Sequence, residues 1–275
     1  MTGPGREVRT ADQRTGAAIW IALLTLAAPL SAQVSAFTFD SGRVQVGRAY
    51  EYVKSNRDGT HPTQVTVYVA ALDQLESLKW DSGGDEATLV SATLDWDHFS
   101  VRGFDSHRLR RNGPETVQGR LATDSTGHAL RLSFLPDSAI PVRTWPWHSY
   151  DFDFASLGAA LPHLSDRDGR FVFARMDVVY NGDELGFADL GPIEVTFEQR
   201  ERRDGRETRR YRIGGPGLAN TTGLLWTDTR DGTLVEYEIP IPDEPGFIDG
   251  RLRLTQTLQL TANEWKGYKR ARIGR

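Results

Sequence analysis

The chain contains no cysteine. Disulfides, thiolate metal sites and thiol nucleophiles are therefore excluded, although an oxidising compartment would permit disulfides to form. A lipid-modified N-terminus is excluded too, because no cysteine follows the apolar run near the start of the chain. The core must therefore be held together by packing alone.

An excess of charge of one sign is also missing. The 275 residues carry 33 Lys and Arg against 37 Asp and Glu, a formal net charge of −4 at pH 7. One strongly basic stretch, residues 200–212, has acidic residues among its arginines and is expected to form a solvated strand edge. Neither a nucleic-acid partner nor a cofactor is expected.

Long apolar runs are scarce, and the clearest one lies near the N-terminus. Three arginines precede an uncharged run over residues 16–32, the order typical of a secretory signal peptide. The run is shorter than the roughly 20 residues of a membrane-spanning helix. Small residues allow a cut after Ala32 or after Ala36, with Ala36 slightly favoured. We therefore predict a cleaved signal peptide over residues 1–36, a periplasmic or secreted location, no stable membrane span after cleavage, and a single domain over residues 37–275.

Alternation of apolar and polar residues with period two is abundant. It is typical of strands that have one face on a core and the other in water, and it predicts antiparallel sheet. The sets are Val65, Val67 and Val69; Leu130, Leu132 and Phe134; Ile193, Val195 and Phe197; Val235, Tyr237 and Ile239; and Leu252, Leu254, Leu258 and Leu260, the last four predicted to share one face.

The tripeptide Arg-Asp-Gly appears four times, at residues 57–59, 167–169, 203–205 and 230–232. Asp-Gly favours type I′ turns, because both central residues of such a turn need positive φ. We therefore predict two-residue hairpins at these sites, the last two being the most secure.

Helical periodicity is scarce and short. Two helices of about two turns each are predicted, one from Leu72, Leu75 and Leu78, and one from Leu157, Leu161 and Leu164. Pro162 keeps the second helix brief, since an interior proline removes a backbone donor. Such short helices are expected to cap an open face of the sheet.

The apolar phase changes within residues 90–101. We attribute the change to a β-bulge at Asp97-His98 within one strand, which would bend the sheet. The predicted fold class is therefore mainly β: a long antiparallel meander curled into a half-barrel or barrel-like sheet, with one or two short capping helices. A sandwich stays open as the alternative.

Motifs that carry chemistry are few. Asp95 and Asp97 share one side of a strand but supply too few ligands for a hard cation, and the six histidines show no zinc-type spacing. No Gly-x-Ser-x-Gly elbow or phosphate-cradling loop occurs. A Ser-His-Asp triad stays open, because its members lie far apart in sequence. We predict no catalytic residue and no metal site, and enzymatic activity is not favoured.

The densest aromatic segment, residues 145–154, is the best candidate for a binding surface. Flat rings combined with carboxylates are typical of carbohydrate sites, and paired carboxylates hydrolyse glycosides. Core packing of a half-buried strand explains the same alternation, so both interpretations stay open. The predicted ligand-binding residues are Trp145, Trp147, Tyr150, Asp151 and Asp153.

Two runs in the C-terminal third, Gly-Leu-Leu-Trp-Thr-Asp at 223–228 and Gly-Thr-Leu-Val-Glu-Tyr-Glu at 232–238, place an aromatic residue at the end of one strand and begin the next from a tight turn. They resemble the final strands of the periplasmic lipoprotein-carrier family and of related exported β half-barrel domains of unknown function. The resemblance implies a curled sheet whose apolar concave face shelters an acyl chain or an apolar partner.

Two classes of function follow. The first is a non-catalytic exported envelope protein that binds an apolar ligand, a lipid or acyl chain, or a partner protein, on its curled sheet. The alternative is a carbohydrate-binding or carbohydrate-active protein that uses residues 145–153.

Overall fold

A computed structural model describes residue 1 and residues 34–133, 135–181, 184–241 and 246–273. The predicted signal peptide lies almost entirely outside the described residues. Within them, no helix has both the length and the hydropathy of a membrane-spanning helix.

Strands dominate the described residues, which also contain two short α-helices. The helices are α1 (Ala155–Ala160) and α2 (Ala262–Arg272), and short 3-10 turns cover Ser41–Arg43, Leu161–His163 and Pro216–Leu218. The strands are β1 (Arg48–Ser55), β2 (Thr63–Ala71), β3 (Gln74–Trp80), β4 (Glu86–Asp95), β5 (Ser100–Arg110), β6 (Thr116–Thr123), β7 (Ala129–Leu132), β8 (Leu135–Pro141), β9 (Trp147–Ser149), β10 (Arg170–Asn181), β11 (Glu184–Arg203), β12 (Arg206–Gly214), β13 (Thr222–Asp228), β14 (Leu234–Ile239) and β15 (Gly250–Gln259).

These strands form one sheet in the order β8-β7-β6-β5-β4-β3-β2-β1-β15-β14-β13-β12-β11-β10-β9. Neighbours are antiparallel except for the short parallel pair of β9 and β10. The chain passes from one edge strand, β8, to the other, β9, through residues 142–146 alone, a reach of roughly 20 Å at most. The sheet is therefore strongly curled but not closed, which confirms the predicted fold class.

Apolar cores lie on both faces of this sheet. The large core fills the concave face, where α1 contributes Leu157. A smaller core lies on the convex face of β1–β5, under Trp265 and Ile273 at the C-terminal helix. α1 and α2 therefore cover opposite faces.

The alternating sets form strands as predicted. Val65 and Val67 of β2, Ile193 and Val195 of β11, and Tyr237 and Ile239 of β14 all lie in the concave core. Phe134 is outside the described residues.

The prediction that Leu252, Leu254, Leu258 and Leu260 share one face is wrong; the first three belong to β15 and Leu260 follows it. Leu252 and Leu254 lie in the concave core, whereas Leu258 and Leu260 pack on the convex one. The cause is a bulge at Thr255, which has no partner in β1 and shifts the alternation by one residue.

Of the four Arg-Asp-Gly sites, one is a two-residue hairpin. Arg203 pairs with Arg206, and Asp204 and Gly205 have φ of 47° and 77°, as a type I′ turn requires. The turns at 57–59 and 230–232 belong to longer hairpin loops, and the turn at 167–169 leads into β10. The two-residue prediction is therefore wrong at these three sites.

The predicted helix of Leu72, Leu75 and Leu78 is also wrong, because Leu75 and Leu78 belong to strand β3. They point to opposite faces of the sheet and enter different cores. Because the sheet has a core on each face, two leucines three residues apart in a strand can both be buried. The same spacing is typical of a helix. The second predicted helix is confirmed as α1 followed by the 3-10 turn that contains Pro162.

The predicted bulge at Asp97-His98 is a hairpin turn instead, because Asp95 of β4 pairs with Ser100 of β5. An oxygen of the Asp95 carboxylate accepts the backbone N–H of Asp97 at 3.0 Å and that of His98 at 3.3 Å. Phe99 completes the turn with φ of 51°. Asp95 therefore stabilises the turn. The change in the apolar alternation marks the boundary between β4 and β5.

Candidate functional site

The aromatic segment enters the concave face of the sheet. Trp147 and Tyr150 are each 1% exposed and Asp153 is 2% exposed. Trp145 is half-buried and Asp151 is exposed. The structure thus places three of the five predicted ligand-binding residues in the interior and two at or near the surface.

Backbone pairing explains why the segment turns inward. Trp147 lies in β9 beside Ala174 of β10, and its N–H donates to the Ser100 hydroxyl at 2.9 Å, across the gap between β9 and β5. The Tyr150 ring then packs 4.8 Å from that of Phe154. These contacts make the segment part of the core.

Two successive left-handed residues direct the chain from this segment into α1. Asp153 and Phe154 both have φ of 49°, which is uncommon for residues with a side chain and is tolerated where surrounding contacts hold it. The turn points the Asp153 carboxylate towards the sheet. There it lies 2.8 Å from Lys54 Nζ of β1 and 3.4 Å from Lys79 Nζ of β3.

A second buried charge pair flanks Tyr150. Arg175 donates a hydrogen bond to Asp177 in β10, and its guanidinium lies 4.5 Å from the Tyr150 ring centroid. Burial raises the pKa of Asp177, while the positive charge of Arg175 opposes the shift. These buried charges fix the segment against the sheet in one orientation.

Beside this block the concave face remains open as a groove of about 550 Å³. We call it the concave groove; it runs over β3–β7 and is bordered by residues 151–153. Its apolar lining consists of Val90, Phe104, Leu121, Leu132, Phe152, Val178 and Phe187. The Phe104 and Phe152 rings stack with centroids 6.2 Å apart.

Polar side chains border the same groove. Ser77, Thr88 and Ser106 are short residues at positions where an inward-facing strand residue is usually large and apolar. Lys79 and Arg108 bring positive charge, with side chains 21% and 43% exposed. The groove is therefore amphipathic, and its volume lies in the range of ligand pockets.

Another apolar cavity lies between α1 and strands β1–β4, but it measures only about 50 Å³. We call it the α1 cavity. It has room for a few waters or a small apolar group. The concave groove is therefore the larger candidate for a chain-like ligand.

The described residues also bring a serine and a histidine together, in the interior. His148 Nδ1 lies 3.0 Å from Ser156 Oγ, and burial lowers the pKa of His148 to about 3. His148 is 0% and Ser156 2% exposed, so a substrate has no access to the pair. We assign it a packing role.

Of the residues predicted from the sequence, Asp151 and Asp153 lie at the border of the groove, and none lies on its floor over β4–β7. Thr88 was a clue to the groove in the sequence. It alternates with Val90 and Ala92, so its side chain points to the core side of the strand. A small polar residue at such a position indicates a part of the face that side chains do not fill.

No family model matches the chain, and no curated protein matches it. Among solved structures, it is similar to a domain described as an outer membrane lipoprotein-sorting protein domain from Vibrio parahaemolyticus, with 10% sequence identity over 83% of this chain and 94% of that one and a TM-score of 0.21.

Proposed function

We propose that this chain is a non-catalytic, exported envelope protein that binds an apolar ligand, a lipid or acyl chain, in the concave groove. The observation that carries the proposal is the groove itself, about 550 Å³ of open space beside an otherwise packed face. Its lining combines aromatic and aliphatic side chains, of which Phe104 is half-buried, with short polar and charged residues, the composition and size typical of a ligand pocket.

The charges at the border suggest how the ligand is oriented. An acyl chain would lie against Phe104, Phe152 and Leu121, where burial of its CH₂ groups contributes about 0.8 kcal/mol each. Its polar end would lie near Lys79 and Arg108. Of the residues predicted from sequence, Asp151 and Asp153 line this groove, whereas Trp147 and Tyr150 support its wall from the core.

The carbohydrate alternative draws on the same segment. Because Trp147 and Tyr150 are each only 1% exposed, a sugar would have to be bound through Trp145 and Asp151. The apolar side chains of the groove, Phe104, Leu121 and Leu132 among them, favour the acyl chain.

The test is to fill the groove. Ser106 lies on its floor and is half-buried, so Ser106→Trp should occupy the ligand's place. We expect mass spectrometry to find lipid co-purifying with the wild-type protein, and Ser106→Trp to weaken binding of a dansyl-labelled undecanoic acid at least about tenfold.

The matched control is Ala122→Trp, which adds the same ring at an exposed position on the opposite face of β6. It should leave probe binding within about twofold of wild type, and thermal melts should show both variants folded. Equal weakening by both variants, or a wild-type protein that binds neither the probe nor any lipid, would contradict the proposal.

Export is part of the same proposal. Ser35 N–H donates to the Arg170 carbonyl at 2.6 Å, and the Ala36 carbonyl accepts Ser165 N–H at 2.9 Å. A cut after Ala32 would keep both hydrogen bonds in the mature chain, whereas a cut after Ala36 would remove them. The intact mass of protein recovered from a periplasmic extract distinguishes the two, and recovery of unprocessed protein from the cytoplasm alone would contradict export.

A further inference from the structure

Four arginines line a second cleft, of about 640 Å³, away from the concave groove. We call it the arginine cleft. Its guanidinium groups belong to Arg43, Arg167, Arg209 and Arg230. These residues come from the 3-10 turn before β1, the loop before β10, strand β12 and the β13–β14 loop.

Two of these arginines converge on one acceptor. Arg43 and Arg167 each donate to the Pro162 carbonyl at 2.7 Å, which places two positive charges side by side. Arg167 makes its other hydrogen bond to the Arg230 carbonyl at 3.3 Å. Among the described residues, Arg167 forms no ion pair, although the more distant carboxylate of Asp231 acts on its charge.

Three carboxylates also line the cleft, and each accepts hydrogen bonds from the protein itself. Asp166 accepts the N–H of Asp168 and Asp231 accepts the N–H of Thr233, each at 2.9 Å. Asp168 is bonded to Arg209 at 2.8 Å and to Arg200. The other three arginines have carboxylate partners: Arg43 with Asp40 at 3.2 Å, Arg209 with Asp168 at 2.8 Å and Arg230 with Asp228 at 3.0 Å. Arg167 is the arginine of the cleft that has no ion pair among the described residues.

The cleft depends on a glycine. Gly232 has φ of 82°, and a Cβ added there would lie 3.2 Å from Arg167 Cζ and 3.1 Å from Pro162 Cα. Glycine at this position thus allows the Arg167 guanidinium to lie against the turn. Two of the four Arg-Asp-Gly turns, 167–169 and 230–232, therefore meet at this cleft.

Electrostatics in the cleft favour an anion. Burial lowers the pKa of Arg167, the charges of Arg43 and Arg209 lower it further, and the charge of Asp231 opposes the shift. A bound anion would relieve this repulsion between like charges, and a planar guanidinium suits carboxylate and phosphate groups because it can donate two parallel hydrogen bonds.

The arginine cleft also adjoins the α1 cavity. The two share Arg43, Gln45, Tyr50, Pro162 and Thr233 as lining residues. A molecule with its anionic group at the arginines could therefore place a small apolar substituent against Leu234 and Val69 of the cavity.

We propose that the arginine cleft is a binding site for a phosphate or carboxylate group, held by Arg167 and Arg43. The site is separate from the concave groove and does not depend on what the groove binds. The anion could be free in solution or carried by an amphiphile.

The experiment titrates the processed protein, after removal of the signal peptide, with inorganic phosphate, octyl phosphate, acetate and octanoate. Binding is measured by isothermal titration calorimetry at low salt. We expect saturable binding of at least one phosphate or carboxylate probe, weakened at least about tenfold in Arg167→Gln, because a hydrogen bond to a charged group is lost. Arg43→Gln should weaken it as well. Octyl phosphate binding much tighter than that of inorganic phosphate identifies an amphiphile, and equal affinities identify a free anion.

Controls separate this site from the groove and from misfolding. Arg202→Gln removes an arginine that is 73% exposed and lies outside the cleft, and it should leave affinity within about twofold. Ser106→Trp, which fills the groove, should leave the affinity for inorganic phosphate and acetate unchanged too. In the wild-type protein, phosphate should shift the Arg167 Nε–Hε resonance. The proposal is overturned if no probe saturates, or if Arg167→Gln binds as wild type does.

Discussion

Residue-level chemistry is clearest at His163, which joins the N-terminal segment to the 3-10 turn after α1. It is 1% exposed, and its Nδ1 accepts the backbone N–H of Asp40 at 3.2 Å. The rings of Phe39 and Trp96 pack against it, with centroids 5.4 and 5.0 Å away. Burial lowers the pKa of His163 to about 4, with Arg43 and Arg167 adding to the effect and Asp40 opposing it.

This depressed pKa predicts acid sensitivity. In the unfolded chain a histidine binds a proton below about pH 6.5, whereas folded His163 stays neutral until about pH 4. The unfolded state therefore binds more protons in this window, so stability is fully present above pH 6.5 and falls as the pH drops towards 4. The unfolding free energy, measured by urea denaturation, should fall less between pH 7 and pH 4.5 in His163→Asn than in wild type.

His128→Asn, which replaces an exposed histidine, is the matched control and should keep the wild-type loss. Buried His148 remains in every variant and contributes equally. If His163→Asn loses as much unfolding free energy between pH 7 and pH 4.5 as wild type does, His163 does not cause the acid sensitivity.

At the scale of elements, α2 shows how a short helix is held on the sheet. The Thr261 hydroxyl accepts Glu264 N–H at 3.3 Å and the Glu264 carboxylate accepts Thr261 N–H at 2.7 Å, a capping box. Trp265 is 2% exposed and stacks on Tyr68 at 4.8 Å. The Thr-x-x-Glu signal was visible in the sequence, but α2 was not predicted because few apolar residues follow it.

Removing the anchor should release the helix. Trp265→Ala takes away the largest apolar contact between α2 and the convex face, so we expect a loss of about 3 kcal/mol in urea-derived unfolding free energy. Hydrogen exchange of the α2 amides should accelerate more than that of the sheet.

Asn263→Ala changes an exposed residue of the same helix and should cost less than about 0.5 kcal/mol. If Trp265→Ala behaves like Asn263→Ala, packing of this tryptophan does not hold α2 in place.

For the whole molecule, the decisive feature is the pairing of β1 with β15. A simple meander would leave its last strand at an edge, but β15 lies between β1 and β14 near the middle of the sheet. The edges are instead β8 and β9, and β8 contains Pro136 and Pro141, as an edge strand allows.

Proline substitution tests this order. Arg253 of β15 pairs with Val53 on one side and Glu236 on the other, so Arg253→Pro should remove a ladder hydrogen bond and cost about 3 kcal/mol or more. Directly after edge strand β8, Val142 N–H donates to the His128 carbonyl at 2.9 Å. By the alternation of antiparallel pairs, the N–H of Ala139 then points away from β7.

Ala139→Pro should therefore cost about 1 kcal/mol or less in unfolding free energy, measured by urea denaturation beside Arg253→Pro. Equal tolerance of both substitutions would place β15 at an edge and contradict the sheet order.

The sequence by itself determined the strands with clear alternation, such as β2 and β11, and the tight turn at Asp204-Gly205. It did so because alternation and turn conformation depend on residues close together in the chain, and the absence of cysteine limited the core to packing. Only the tertiary structure decided which strands pair across long separations, where the Thr255 bulge shifts the alternation, and which aromatic rings are buried. The concave groove and the arginine cleft belong to this second group. Each joins residues far apart in sequence, such as Phe104 with Phe152 and Arg43 with Arg167, so no local pattern could place them together.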